Sequence, residues 1–188
     1  SARVFVDGQP VGSAVSFDTK TQGAIKLPDV SELLGKGKHT VEVKMTGGGQ
    51  MPYSIGITYN ALKSDSSKDC KVGLEVKLSK ATVAEGELLE ANATVTNLTK
   101  ELVPTAIAII GLPGGLEPRH DNLKELVKKG TIDSYEVLGR EVVLYWRGMT
   151  PGQRIDVPLS LLAAVPGSYT GPASRAYLYY TDEHKVWA

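Results

Sequence analysis

The sequence predicts an all-β protein built from two antiparallel β-sandwich-type units, the second of which contains one short inserted α-helix. Short segments that alternate apolar and polar side chains recur along the chain, and this period of two is typical of half-buried strands. Glycine and proline, with 20 and 10 residues in a chain of 188, lie mostly between these segments. Short strands separated by such turns indicate an antiparallel sandwich.

Residues 1–62 are predicted to form the first β unit. Asp7-Gly8 is a favoured pair for a tight hairpin turn, so the segments on either side of it are expected to pair. Farther along, Asp29 or Ser31 can cap a single helical turn. Four segments of this unit have the strand pattern: 3–6, 11–17, 39–45 and 53–59.

Residues 63–69 form the most polar stretch of the chain, with the sequence Lys-Ser-Asp-Ser-Ser-Lys-Asp. None of these side chains is expected to anchor in a core. We therefore predict a linker here, between the first unit and a second unit that comprises residues 70–188.

The second unit is predicted to be a β-sandwich. Its segment 105–111 is almost entirely apolar, which indicates a central strand buried on both faces. Segment 141–146 is rich in β-branched and aromatic residues, which favour strands. The strands of this unit are expected at 72–78, 88–95, 105–111, 141–146, 154–164 and 176–181.

A single helix near residues 121–129 interrupts these strands. Asp121 occupies an N-cap position, and Leu123 and Leu126 fall on one helical face together with Val127. Gly130 is placed to end the helix.

Charge and hydropathy exclude two classes of partner. The chain has 21 basic and 21 acidic residues, so no net field draws it to nucleic acid or to an anionic membrane. Its longest apolar runs are far shorter than the roughly 20 residues of a membrane span. Neither end of the chain reads as a natural terminus, so we expect a piece of a longer protein.

No arrangement of residues predicts catalysis, a metal site or a cofactor, and we expect the chain not to be an enzyme. His39, His120 and His184 are scattered and lack a second ligand at metal spacing. Ser174 lies in no nucleophile elbow. Cys70 is the single cysteine, and we interpret it as a small core residue or an exposed linker thiol.

A glycine-rich segment, 111–115, follows the buried strand. It lacks the lysine and the directly following helix of a phosphate-binding loop, so we interpret it as a tight turn that needs positive φ.

Two groups of side chains are candidate partner-binding residues. Tyr177 and Tyr179, with Tyr180 beside them, lie on one predicted strand and can form a carbohydrate- or protein-binding face, or else a half-buried row with hydroxyls in water. Lys124 and Lys128 project from one side of the helix and can engage an acidic pocket, or else form an ordinary solvated face.

From about residue 72 onward, the order of features resembles the last domain of α-2-macroglobulin-like proteins, the receptor-binding domain of the vertebrate members. The resemblance depends on the segment 105–116, on the helix, on Glu-Val-Val-Leu-Tyr-Trp at 141–146, and on the closing Tyr-Leu-Tyr-Tyr-Thr-Asp-Glu at 177–183. Residues 1–62 are similar to the second part of the split CUB-type β domain that precedes it.

The resemblance implies a non-catalytic scaffold and interaction region of a secreted, surface or periplasmic protein that traps proteases or carries an internal thioester. The resemblance implies that the partners are upstream domains of the parent protein, including a thioester domain, and target proteases or a receptor. It also implies that the two helix lysines, Lys124 and Lys128, lie on the receptor-binding surface. The thioester motif Cys-Gly-Glu-Gln is absent, and Cys70, followed by Lys71, does not match it.

Two other hypotheses stay open: a carbohydrate-binding or adhesive β module, suggested by the tyrosines, and a hydrolase with a sandwich fold, supported only by the available carboxylates. An incomplete β domain over 1–62 would leave exposed strand edges, so we also expect self-association through that region.

Overall fold

The computed structural model describes residues 1–59 and 62–188. These residues divide into two compact units, unit 1 (Ser1–Thr58) and unit 2 (Tyr59–Ala188). Their three sheets are antiparallel, and the described residues contain one α-helix, so the predicted all-β class is confirmed. No helix in the described part of the chain is long and apolar enough to span a bilayer.

Unit 1 contains one three-stranded sheet in the order β2-β1-β3. The strands are β1 (Ala2–Val6), β2 (Gln9–Val15) and β3 (Val41–Met45). The hairpin turn between β1 and β2 has positive φ at both central residues, 49° at Asp7 and 80° at Gly8, as the predicted turn requires.

The helical turn expected in unit 1 is a single 3-10 turn, Ser31–Leu33. Asp29, one of the two expected caps, accepts a hydrogen bond at Oδ1 from the Ser31 amide, at 2.8 Å. This bond fixes the backbone at the start of the turn.

The strand expected at 53–59 is not formed, and this prediction is wrong. Residues 51–59 have no regular secondary structure, and the side chains of Tyr53 and Ile57 are 79% and 75% exposed. Alternation determines which side chains share a face, but a strand also needs a neighbour that supplies hydrogen bonds. No strand among the described residues pairs with this segment.

Unit 2 is a sandwich of two sheets around one apolar core. A four-stranded sheet has the order β4-β5-β10-β7, and a five-stranded sheet has the order β12-β11-β6-β9-β8. The strands are β4 (Val72–Leu78), β5 (Leu88–Asn97), β6 (Ala106–Gly111), β7 (Leu116–Pro118), β8 (Ser134–Leu138), β9 (Glu141–Trp146), β10 (Arg154–Ala163), β11 (Arg175–Leu178) and β12 (Val186–Trp187).

Strand β6 is buried on both faces, as its apolar sequence predicted. Ala108 and Ile110 are fully buried in the core between the sheets. Ile107 and Ile109 point to the other face, where they form a separate buried cluster. The five-stranded sheet therefore has an apolar centre on its outer side as well.

The polar stretch predicted as a linker is partly held by hydrogen bonds. The Ser67 amide donates to the carbonyl of Lys185, and the Trp187 amide donates to Ser66 Oγ, at 2.8 and 2.9 Å. Cys70 is half-buried and packs against the core, which favours the small-core-residue interpretation.

Candidate functional site

Lys124 and Lys128 lie on helix α1 (His120–Lys128). The helix packs on the sandwich through its apolar side. Leu123 and Leu126 are buried in the core. Asn122 accepts a hydrogen bond from the Ser160 amide of β10 at 2.9 Å. Gly130 has a φ of 71° and ends the helix as predicted.

Asp121 does not cap α1, and that detail of the prediction is wrong. The N-cap position lies two residues earlier than expected, at Arg119, whose side chain makes no capping bond. Asp121 instead lies in the first turn and forms an ion pair with Arg119. A carboxylate there still interacts favourably with the positive end of the helix dipole.

Lys124 and Lys128 are exposed one turn apart on the same side of α1. Neither makes a salt bridge with any residue in the described ranges, whereas the adjacent Lys129 lies 3.5 Å from Glu125. Residues four apart on a helix have Cβ atoms about 6 Å apart. The pair therefore presents two neighbouring positive charges on a rigid support.

The outer side of the five-stranded sheet carries the second candidate surface. Tyr177 of β11 lies beside Ile107 of β6, which lies beside Tyr145 of β9. In the next row, Ile109 lies beside Val143. The three aliphatic side chains are at most 8% exposed, and the two tyrosine rings pack against them. We call these five residues the tyrosine face.

The two tyrosines of this face remain neutral phenols at ordinary pH. Burial raises the pKa of Tyr177, and burial together with a hydrogen bond to Glu136 raises the pKa of Tyr145. The Tyr145 hydroxyl donates to Glu136 Oε1 at 2.9 Å. The face therefore offers flat aromatic area with polar atoms only at its border.

Charged residues border the tyrosine face. The Arg175 guanidinium donates two hydrogen bonds to the Glu141 carboxylate, at 2.7 and 3.2 Å, and both side chains are about one-quarter exposed. The Lys185 ammonium lies 5.0 Å from the centre of the Tyr177 ring. An apolar centre with a polar rim is the usual arrangement of a protein-binding surface.

Tyr179 does not continue the strand that carries Tyr177. Strand β11 ends at Leu178, because the chain turns there and the Thr181 amide donates to the Leu178 carbonyl at 2.9 Å. Tyr179 and Tyr180 are 55% and 80% exposed and form an edge-to-face pair with ring centres 5.1 Å apart. The predicted tyrosine row is thus divided between a half-buried residue and an exposed pair.

The glycine-rich segment acts through close packing rather than through positive φ. Neither Gly111 nor Gly115 has positive φ. A Cβ atom at Gly111 would overlap the carbonyl of Pro172, and one at Gly115 would overlap the ring of Tyr169. Ser174 is buried and accepts a hydrogen bond from the Gly111 amide at 3.0 Å, which is a structural role.

The described residues contain no group of three or more potential metal-binding side chains. His184 contacts Ser67 Oγ at 3.2 Å and lies in the contact between the polar stretch and the last strand. His39 lies in unit 1, where its Nδ1 is 2.8 Å from Asp7 Oδ2. This bond raises the pKa of His39 and lowers the pKa of Asp7.

Sequence reasoning identified Tyr177 but missed Tyr145 and the aliphatic floor of the tyrosine face. These residues come from three strands that are distant in sequence, so only the strand register brings them together. The one available signal was the doubly buried pattern of β6, which implies that something apolar covers its outer side.

No protein-family model and no curated protein sequence matches this chain. Solved structures do match. A point mutant of a Salmonella α-2-macroglobulin has 19% identity and a TM-score of 0.54, over 66% of this chain and 9% of that protein. Trypsin-activated α-2-macroglobulin from Escherichia coli has 16% identity and a TM-score of 0.53, over 66% and 10%.

A third match is a fragment of native Escherichia coli α-2-macroglobulin that spans the residues from domain MG7 to the C-terminus. It has 16% identity and a TM-score of 0.50, over 68% of this chain and 23% of the fragment. The chain thus spans less than one quarter of the length of each of these structures. Over about two thirds of its length, the chain has a fold similar to that of bacterial α-2-macroglobulins, as the resemblance in its sequence predicted.

Proposed function

We propose that this chain is a non-catalytic scaffold and docking region in the C-terminal part of an α-2-macroglobulin-like protein. The parent protein would be secreted, surface-exposed or periplasmic. It would trap proteases or attach targets through a thioester in a domain outside the 188 residues.

The match to the MG7-to-C-terminus fragment carries the proposal. That fragment holds only the C-terminal part of the Escherichia coli protein, so the region of similar fold lies in that part. A position in the C-terminal part of a multidomain protein would suit a module that presents surfaces to other domains.

The tyrosine face supports the docking role. Its two neutral, half-buried tyrosine rings, which pack against the aliphatic floor, form an apolar area that a partner domain can cover. Covering such area is favourable by about 25 cal/mol per Å² of apolar surface. Proteolytic cleavage of the parent protein upstream of this chain would then change which domain packs on the tyrosine face. Unit 2 would contribute a packing surface and no catalytic residue.

The first test uses the parent protein and the isolated chain side by side. The parent, incubated with trypsin, should suppress cleavage of a large protein substrate far more than cleavage of a small peptide, because a trap blocks access without blocking the active site. The isolated chain should suppress neither. Inhibition by the chain alone would contradict the scaffold role.

Labelled methylamine tests the thioester in the same parent protein. Incorporation at a glutamine outside the 188 residues, located by mass spectrometry, would establish a live thioester. No incorporation into fresh native protein would leave a thioester-free trap, which the protease assay detects independently.

The tyrosine face is tested by Tyr177→Ala in the parent. Losing the half-buried ring should weaken docking and release the protease-triggered state early, seen as faster methylamine uptake without protease. Tyr180→Ala is the matched control, since its ring is mostly exposed and lies outside the face. Equal behaviour of both variants would argue against docking through this face.

We assign Lys124 and Lys128 to a surface for an acidic partner. The pair is rigidly held and has no internal acidic partner among the described residues. The double change Lys124→Glu and Lys128→Glu should abolish a receptor or partner interaction of the triggered parent, while the same change at Lys77 and Lys80 should not. Binding that is insensitive to both changes would remove the assignment.

The exposed pair of Tyr179 and Tyr180 favours a second candidate function, a carbohydrate-binding or adhesive module. Exposed aromatic rings can stack on sugar rings, and these two are held edge to face. A glycan array should then give hits that Tyr179→Ala removes. An array without hits would remove the carbohydrate-binding function. If the parent protein also traps proteases, the scaffold role would be the one function that remains.

A further inference from the structure

The two edges of the sheet in unit 1 differ. Strand β2 contains Pro10, which has no amide hydrogen, and its pairing with β1 shifts register between Ala2 and Val4. Both features protect a sheet edge from further pairing. Strand β3 contains no proline, and its register with β1 is regular along its whole length.

Alternation of hydrogen bonds shows which backbone groups of β3 are at the open edge. The Asp7 amide donates to the Thr40 carbonyl, and the Thr46 amide donates to the Ser1 carbonyl. The even-numbered residues of β3 therefore face β1, and the N–H and C=O groups of Val41, Val43 and Met45 face outward. No strand among the described residues pairs with this edge of β3, so these three alternate residues remain open to a new strand.

The side chains of β3 are self-complementary around Val43. If a second β3 runs antiparallel with Val43 opposite Val43, Glu42 lies opposite Lys44 twice, and Val41 lies opposite Met45 twice. Glu42 and Lys44 are about half exposed, and their charged atoms are 3.5 Å apart within one strand. Opposite charges directly across a strand pair are stabilising, and like charges are destabilising.

The opposite face of β3 supplies apolar contact in the same register. Val43 and Met45 are 40% and 39% exposed, which is unusual for side chains on the inner face of a sheet. They line an apolar groove with Phe17 and Ile25. A second copy would extend this face and cover part of it.

We propose that this chain pairs with a second copy of itself through β3, in an antiparallel, two-fold symmetric register centred on Val43. The two three-stranded sheets then form one continuous six-stranded sheet. The pairing depends only on unit 1 and not on the function proposed for unit 2.

Sedimentation of the full 188-residue chain over a wide concentration range tests the association. The wild type should show a monomer–dimer equilibrium. Glu42→Lys alone and Lys44→Glu alone each place like charges opposite one another at two places, so each should raise the dimer Kd by about tenfold at low salt. The double variant Glu42→Lys/Lys44→Glu should restore the dimer to within about threefold of the wild type.

A matched control is present on β4, an edge strand of unit 2 with the same spacing of Glu75 and Lys77. Strand β4 contacts β11 and β12 of the facing sheet, so its edge is less open. Glu75→Lys and Lys77→Glu should leave the dimer unchanged. A monomer–dimer equilibrium that responds to these changes and not to those in β3 would overturn the proposal.

Cysteine cross-linking tests the register, in a Cys70→Ala background. Val43→Cys should form a disulfide-linked dimer on oxidation, because residues in a hydrogen-bonded antiparallel pair have Cα atoms about 5.5 Å apart, within disulfide range. Val41→Cys alone should not cross-link, since its two copies would lie about 14 Å apart. A mixture of Val41→Cys and Met45→Cys chains should cross-link.

Three results would contradict the pairing: a wild-type chain that stays monomeric up to millimolar concentration, a charge-swapped double variant that is folded but no better associated than the single variants, or a dimer abolished only by Ile55→Lys/Ile57→Lys. The last would assign the association to the exposed segment 51–59 instead. Circular dichroism of each variant establishes that its sheet structure is intact.

Discussion

Units 1 and 2 use the same local pattern and reach different degrees of closure. Strand β3 in unit 1 and strand β4 in unit 2 both alternate, and both carry a Glu-x-Lys pair on the polar side. On β4, Val72 and Leu74 are almost completely buried, because a second sheet covers them. On β3, Val43 and Met45 remain about 40% exposed, because unit 1 has a single sheet.

Alternation of apolar and polar residues therefore determines which side chains share one face of a sheet. It does not determine whether another element of the protein packs over that face. In unit 2 the second sheet of the same unit packs over the apolar face. The stability of unit 2 should therefore depend on buried side chains and buried hydrogen bonds. In unit 1 the sheet has an open edge and a half-covered face, so its stability should depend on local bonds and on association.

The largest effect is expected at the core of unit 2. Leu144 of β9 is fully buried between the sheets, so Leu144→Ala should lower the free energy of unfolding by about 3 kcal/mol. Leu138→Ala, at an exposed position on the adjacent strand β8, is the matched control and should change it by less than about 0.5 kcal/mol. Val43→Ala in unit 1 should also have a small effect.

Both tryptophans of the chain lie in unit 2, so urea unfolding followed by tryptophan fluorescence reports on this unit. Equal destabilisation by Leu144→Ala and Val43→Ala, the latter read by calorimetry, would contradict the contrast between the two units.

The next effect is expected at a buried amide. Asn97 is 1% exposed, and its Nδ2 donates to the carbonyls of Glu101, Met149 and Thr150 at 2.8, 3.1 and 2.9 Å. Asn97→Ala should destabilise unit 2 by about 2 kcal/mol, because it removes these buried hydrogen bonds. Asn92→Ala, on the same strand but exposed, should be nearly neutral. Similar unfolding midpoints for the two variants would refute the structural role of this amide.

The smallest effect is a pH dependence in unit 1. The Asp7 hydrogen bond raises the pKa of His39, so this stabilisation is complete below about pH 6.5 and is lost as pH rises through the raised pKa. The His39 hydrogen bond lowers the pKa of Asp7, so that stabilisation is complete above about pH 4 and is lost as pH falls through the lowered pKa. Unit 1 should therefore be most stable between these values.

Calorimetry of the wild type should show the Tm of the unit 1 transition falling slightly from pH 6 to pH 8. His39→Gln should remove this slope, and NMR titration of His39 should give a pKa above the ordinary value. A His39→Gln variant that keeps the full slope would assign it to another group.

Much of the fold could be predicted from local chemistry. The Asp7-Gly8 hairpin, the doubly buried strand β6 and the end of α1 at Gly130 all follow from preferences that act within a few residues. The N-cap of α1 was missed by two residues, because Arg119 gives no side-chain capping signal.

The remaining features depend on contacts between distant segments. Residues 53–59 alternate but find no partner strand in the described chain. The glycines at 111 and 115 are required by Pro172 and Tyr169, which sequence spacing does not place beside them. The tyrosine face likewise exists only through the register of β9, β6 and β11.

Hydrogen–deuterium exchange of the full chain, measured at low and at high protein concentration, tests the contrast between the units most directly. At low concentration the amides of β5, β6 and β10 should exchange slowly, and those of Val41, Val43, Met45 and residues 51–58 should exchange rapidly. At high concentration only the three β3 amides should become protected. Slow exchange throughout unit 1 at low concentration would contradict an open edge on β3. It would mean that the outer edge of β3 and residues 51–58 are already protected within a single chain.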